Sequence, residues 1–122
     1  MKSNVTVACV QAEPVVFDRE ATLDKVAVLT AEAAAKGADI VVFPETFVAV
    51  YPTSTWAKAL AGWADPRAKA AFAALASSAV EVPGPAADRL GEIARTHSVW
   101  LVTGVNEIDP VRNGTVYNAL LY

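Results

Sequence analysis

A glutamate, Glu45, follows the apolar run Ile40-Val41-Val42-Phe43, separated from it only by Pro44. A carboxylate just past the C-terminal end of a parallel strand sits where open α/β sheets keep their reactive groups. Pro44 fixes the backbone angle before Glu45, and the aromatics Phe47 and Tyr51 are able to wall it off from bulk water. A carboxylate shielded in that way holds a proton more readily and makes a better base near neutral pH. General-base catalysis is therefore the chemistry open to Glu45. Residue type alone leaves the plainer alternative standing, because a Glu at a strand end is more often a solvated turn group.

Other reactive side chains are few. Glu107 ends a later strand and invites a reading as a second carboxylate for acid-base work, although a supporting or solvated role is the commoner one. Cys9 lies within the first apolar strand with no basic neighbour to favour its thiolate, so it reads as a buried small hydrophobe. It is the only cysteine, which excludes an internal disulfide, and neither a second Cys nor a nearby His accompanies it to build a metal site. His97 is far away in sequence and suits a helix C-terminus, where its charge favours the dipole. No cofactor is expected.

The elements that must position these groups follow from apolar periodicity. Val5 to Val10 alternates as a strand until Glu13-Pro14 interrupts it. Between Arg19 and Lys36, Leu23, Val26, Ala27, Thr30, Ala33 and Ala34 recur at helical spacing, with Asp18 as N-cap and Gly37 as C-terminal cap. Ile40 to Phe43 is apolar on both faces, as in a strand covered on both sides. Strand, helix, strand reads as a right-handed crossover, so the sheet is at least partly parallel.

From Thr46 to Ala64 the pattern is irregular, with Trp56, Leu60 and Trp63 spaced for a short helix. Asp65-Pro66 opens an alanine-rich helix running to about Ser78. After the Pro83-Gly84-Pro85 turn, a further helix places Ala86, Leu90, Ile93 and Ala94 on one face and ends near His97. Val99 to Val105 is a strong strand, Asp109 to Gly114 a polar turn, and Thr115 to Tyr122 another strand. The expected architecture is α/β, with four strands in one sheet and helices on its outer face.

Composition narrows the function. A little over half of the 122 residues are apolar and the net charge is only -3, which argues for a packed core and against disorder. The ten Lys and Arg are scattered singly, so neither nucleic acid nor an anionic membrane surface is an expected partner. The first residues are too short an apolar run for a signal segment or a membrane span, which points to the cytoplasm. Nucleotide binding on a doubly wound sheet needs a glycine-rich loop after the first strand, and Gln11-Ala12-Glu13-Pro14 offers no phosphate cradle.

Several of these segments together resemble the nitrilase superfamily of carbon-nitrogen hydrolases, and within it the nitrilase branch. Val5 to Gln11 is similar to the family's first strand, and Ala34-Ala35-Lys36-Gly37-Ala38-Asp39 with Ile40 to Glu45 to its helix, turn and glutamate strand. Phe43-Pro44-Glu45 with Tyr51-Pro52 resembles the glutamate motif. Val82-Pro83-Gly84-Pro85, Gly104-Val105-Asn106-Glu107 and Asn113-Gly114-Thr115-Val116-Tyr117-Asn118 supply three further landmarks in the family's order. One Phe-Pro-Glu recurs by chance; the ordered set does not.

The resemblance implies a Glu-Lys-Cys mechanism in which Glu45 takes the proton from a cysteine thiol and a lysine stabilises charge on the substrate heteroatom. It implies an α-β-β-α sandwich whose subunits form dimers and larger assemblies, a small-molecule nitrile or amide substrate, and a pocket to which Tyr51 and Trp56 contribute. Tyr117-Asn118 is placed to help shape the site, although an aromatic on a strand is most often core. The family's lysine and cysteine motifs have no counterpart here, so residues 1–122 are expected to be the N-terminal part of one hydrolase domain. An amidase or carbamoylase of the same superfamily is a neighbouring reading. A truncated product that only binds an intact relative is the non-catalytic one.

Overall fold

The computed structural model describes residues 4–51, 53, 55, 58, 61, 62, 64–112 and 114–122. Within them the order is β1 (Val7–Cys9), α1 (Arg19–Ala35), β2 (Ile40–Val42), α2 (Pro66–Ser78), α3 (Pro85–His97), β3 (Trp100–Ile108) and β4 (Val116–Leu121). The four strands make one sheet in the order β1-β2-β3-β4. The first three run parallel and β4 is antiparallel to β3. That is the α/β architecture expected from periodicity. The short helix expected around Trp56, Leu60 and Trp63 lies outside the described residues.

Local chemistry sets the helix limits. The Asp18 side chain accepts a hydrogen bond from the Ala21 amide at 2.9 Å and so caps α1. At its other end Gly37 takes a φ of +89°, and its amide and that of Ala38 donate to the carbonyls of Ala34 and Ala33 at 2.9 and 3.1 Å. This double closure satisfies carbonyls the helix leaves open and turns the chain straight into β2. Asp65 caps α2 through the Arg67 amide at 2.8 Å, with Pro66 in the first turn where its missing N–H costs nothing. His97 ends α3 as expected, with Arg95 also in the last turn.

Alternation along the strands separates the two sheet faces. Val41, Leu101 and Val105 point toward the helices and are buried with Leu23 and Val26 of α1 and Leu90 and Ile93 of α3. Arg89 of α3 pairs with Glu20 and Asp24 of α1 at the surface, where such pairs add little beside the apolar burial. The opposite face carries the cross-strand row Val7, Ile40 and Trp100 and the row Cys9, Val42 and Val102. Val7 is 51% exposed, Trp100 69% and Leu120 56%, so among the described residues no layer covers that face. Helices cover one side of a single sheet: half of the sandwich that the resemblance implies.

Cys9 departs from expectation. It is exposed rather than buried, because the period of two places it on the uncovered face with Val7 while Ala8 turns to the core. An apolar face of this kind, with edges at β1 and β4, favours association of the isolated chain. Sedimentation of the purified chain is expected to show dimers or larger species at micromolar concentration. A monodisperse monomer with a cooperative melt would contradict it.

Candidate active site

The site begins where β2 ends. The Phe43 amide still donates to the Val102 carbonyl at 2.8 Å, continuing the parallel ladder one step past Val42. An unbroken ladder would next use the amide of residue 45. Instead it is Val48 whose amide donates to the Gly104 carbonyl, at 3.2 Å, so the chain inserts three residues (48 minus 45) before rejoining β3. Residues 44–47 therefore leave the plane of the sheet, with Thr46 at a φ of +43° in the turn. Glu45 rides on this excursion.

Gly104 decides which way the excursion folds. A Cβ built on it would stand 2.4 Å from the Pro44 carbonyl oxygen, 2.5 Å from the Thr46 nitrogen and 2.7 Å from the Glu45 Cα. The backbone around Glu45 lies directly on the sheet, on the face away from the helices, and only a residue without a side chain leaves room for it. Both ends of the excursion are anchored. Phe47 turns inward, 1% exposed, with its ring 5.2 Å from that of Phe43. On the far side, the buried Asn106 donates from Nδ2 to the Val50 carbonyl at 3.1 Å. Val80 then takes over the edge of β3, its amide donating to the Asn106 carbonyl at 2.8 Å.

The Glu45 side chain is exposed and meets β4, where Asn118 Nδ2 donates to Glu45 Oε1 at 2.5 Å. Register makes the contact: Asn118 opposes Asn106 and Leu120 opposes Gly104, so Asn118 stands on the same face as the excursion. The carboxylate is thus held at one oxygen by a side chain of β4.

Several expected participants are elsewhere. Phe47 is buried in the core and Tyr51 is half exposed, and Glu45 itself is exposed, so the carboxylate is not shielded from water among the described residues. Glu107 sits three residues beyond Gly104 in β3, on the opposite face, and the two carboxylates are not brought together. Tyr117 faces away from Asn118. Its hydroxyl donates to Asp109 Oδ2 at 3.2 Å and accepts from Arg112 Nη1 at 3.4 Å, which ties down the turn before β4. The amides of Arg112 and Val111, and then the Tyr117 hydroxyl, hold the Asp109 carboxyl below the usual carboxylate range. Trp56 lies outside the described residues. Cys9 is on edge strand β1, with β2 between it and β3.

The direct partner of Glu45, Asn118, was legible in the Tyr-Asn pair expected to help shape the site but not as a contact of Glu45, and Gly104 only as part of Gly-Val-Asn-Glu. Strand alternation past Tyr117 would have put Asn118 on the far face, but nothing local says that the glutamate turn arrives there. A groove of about 510 Å3, lined by Leu90, Ala94, Leu101, Thr103 and Leu121, lies on the helix face and is separated from Glu45 by the sheet. Among the described residues no group of three or more His, Cys, Asp or Glu could hold a metal ion. None of the described helices is long and apolar enough to cross a membrane.

Comparison with known proteins places the chain in a family. The model of the carbon-nitrogen hydrolase family covers residues 6–122, and the chain belongs to that family. A bifunctional nitrilase/nitrile hydratase of Nicotiana tabacum is 41% identical over 118 residues, which is 97% of this chain and 33% of the relative. An aliphatic nitrilase of Sinorhizobium fredii is 39% identical over 115 residues, 94% of this chain and 36% of the relative. The chain thus spans about a third of the length of these relatives. Among solved structures, an amidase from Nesterenkonia sp. superposes with a TM-score of 0.52 at 22% identity, over 84% of this chain and 32% of the amidase, which supports the fold.

Proposed function

We propose that this chain supplies the general base, Glu45, of a nitrilase that converts an organic nitrile to a carboxylic acid and ammonia. The observation that carries the reading is the excursion itself: three inserted residues lift Glu45 out of the sheet and seat its backbone over Gly104, with its carboxylate against Asn118. In the reaction Glu45 takes the proton of a cysteine thiol, and the thiolate adds to the nitrile carbon. A lysine stabilises the charge that develops on nitrogen. Water hydrolyses the resulting thioimidate and thioester, releasing ammonia and the acid. The lysine and cysteine belong to sequence beyond these 122 residues, so this chain is one part of a single hydrolase domain.

In the whole enzyme, the uncovered sheet face buries against a second sheet, which also shields the base from water. Tyr51 and Trp56 contribute to the pocket, and subunits associate in the cytoplasm. The nitrile reading is preferred to an amide one because the relatives with 39–41% identity are named as nitrilases, whereas the amidase supports the fold alone.

Ammonia release tests the reading. The 122-residue chain alone is expected to release none above buffer background from aliphatic or aromatic nitriles, because nothing accepts the developing charge or attacks carbon. The same chain continued through a lysine and a cysteine motif is expected to release it. Turnover by the short chain that disappears on Glu45→Gln would defeat the assignment of the nucleophile; an inert long chain would defeat the nitrilase reading.

A further inference from the structure

The Glu45 carboxylate needs more than a backbone platform. Its last torsion is a broad sp³–sp² rotor, and an exposed carboxylate offers either oxygen to a proton donor in many orientations. Among the described residues, the side chain that holds it is Asn118. We infer that Asn118 is the positioning residue for Glu45, fixing Oε1 so that Oε2 is the oxygen presented to the thiol. This rests on Glu45 being the general base.

Three features favour a positioning role over an ordinary surface contact. The amide Nδ2 only donates, so it orients the ionised carboxylate without competing for the proton that Glu45 must take. The aim of Asn118 comes from the same strand pair that seats the backbone, since its ladder partner Asn106 pins the chain at Val50. Asn118 is itself exposed, and Asn is among the residues depleted in strands, so the fold gains little from it at this place. Its defined geometry is turned toward one group.

The experiment uses the complete enzyme, with Asn118→Leu, which matches Asn in shape and lacks the donor, and Asn118→Ser, which stays polar but falls short of Glu45. Each is made in the parent and in a Glu45→Gln background. Two rates are read, ammonia release and alkylation of the catalytic cysteine by iodoacetamide, together with the thermal midpoint. In the parent background both variants are expected to lose about ten- to a hundredfold in ammonia release, the scale of a misplaced catalytic group. Alkylation slows in parallel. In the Glu45→Gln background the same changes are expected to alter either rate by no more than about twofold, because the group through which Asn118 acts is gone.

Equal losses in both backgrounds would mean that Asn118 acts through the fold, and would overturn the inference. So would parent-like rates for both Asn118 variants while Glu45→Gln is strongly impaired, an outcome that leaves the general-base reading standing. Near-normal turnover of Glu45→Gln removes that reading and the inference with it. Should Asn118→Leu melt early, Asn118→Ser carries the comparison.

Discussion

Replacing Glu45 by Gln in the complete enzyme is expected to slow acylation of the cysteine by about a hundred- to ten-thousandfold, the usual loss of a general base. The substitution keeps the size of the side chain. It also keeps an acceptor oxygen for Asn118 Nδ2, so the strand pair and the excursion should survive. Because the side chain is exposed in this chain, its exchange opens no cavity and strands no buried charge. The thermal midpoint and the assembly state should therefore stay close to the parent while ammonia release collapses. Iodoacetamide should also alkylate the thiol more slowly, since less of it is ionised near neutral pH without the neighbouring base. A solvated, merely structural Glu45 predicts a modest stability change and turnover per folded molecule within about threefold of the parent, well short of a general-base loss.

Gly104→Ala should reach a comparable loss by a different route. The new methyl would meet three backbone atoms of residues 44–46 at 2.4–2.7 Å, and backbone held at both ends cannot swing aside as a flexible side chain would. Either the excursion lifts or β3 shifts against β2, and overpacking of this kind costs about 1–3 kcal/mol. A displacement on the order of 1 Å at the base is worth about a hundredfold in rate. The expected result is a kcat/KM reduced at least that far, with a thermal midpoint several degrees lower. Gly37→Ala provides the contrast. Its φ of +89° strains any side chain, but a Cβ there meets nothing within 4 Å, so stability should fall by about 1–2 kcal/mol with turnover per folded molecule intact. Parent-like kinetics for Gly104→Ala would show that the platform does not set the position of Glu45.

How much of this was legible before folding depended on whether the signal was local. The α1 cap at Asp18, the closure at Gly37, the start of α2 at Asp65-Pro66 and the end of α3 near His97 each rest on hydrogen bonds or dihedral limits within a few residues, and each was read correctly. The parallel order of β1 and β2 followed from the crossover between them. Where contact partners are remote in sequence, neighbouring residues do not specify them. Phe47 is close to Glu45 along the chain, yet its ring goes to Phe43 and the core, because the excursion turns inward on one side and outward on the other.

By itself, then, the sequence determined a strand-helix-strand unit that delivers one carboxylate to the end of an apolar strand, since periodicity and capping are written in neighbouring residues. Which face of the sheet Glu45 occupies was decided only in the tertiary structure. That choice depends on Gly104 lacking a Cβ, on Val48 returning to the Gly104 carbonyl, and on β4 bringing Asn118 across from residue 118 to residue 45. The separation of Glu45 from Glu107 and the exposure of Cys9 were settled the same way. Alternation tells which residues share a face, but only the packed helices say which of the two faces becomes the core.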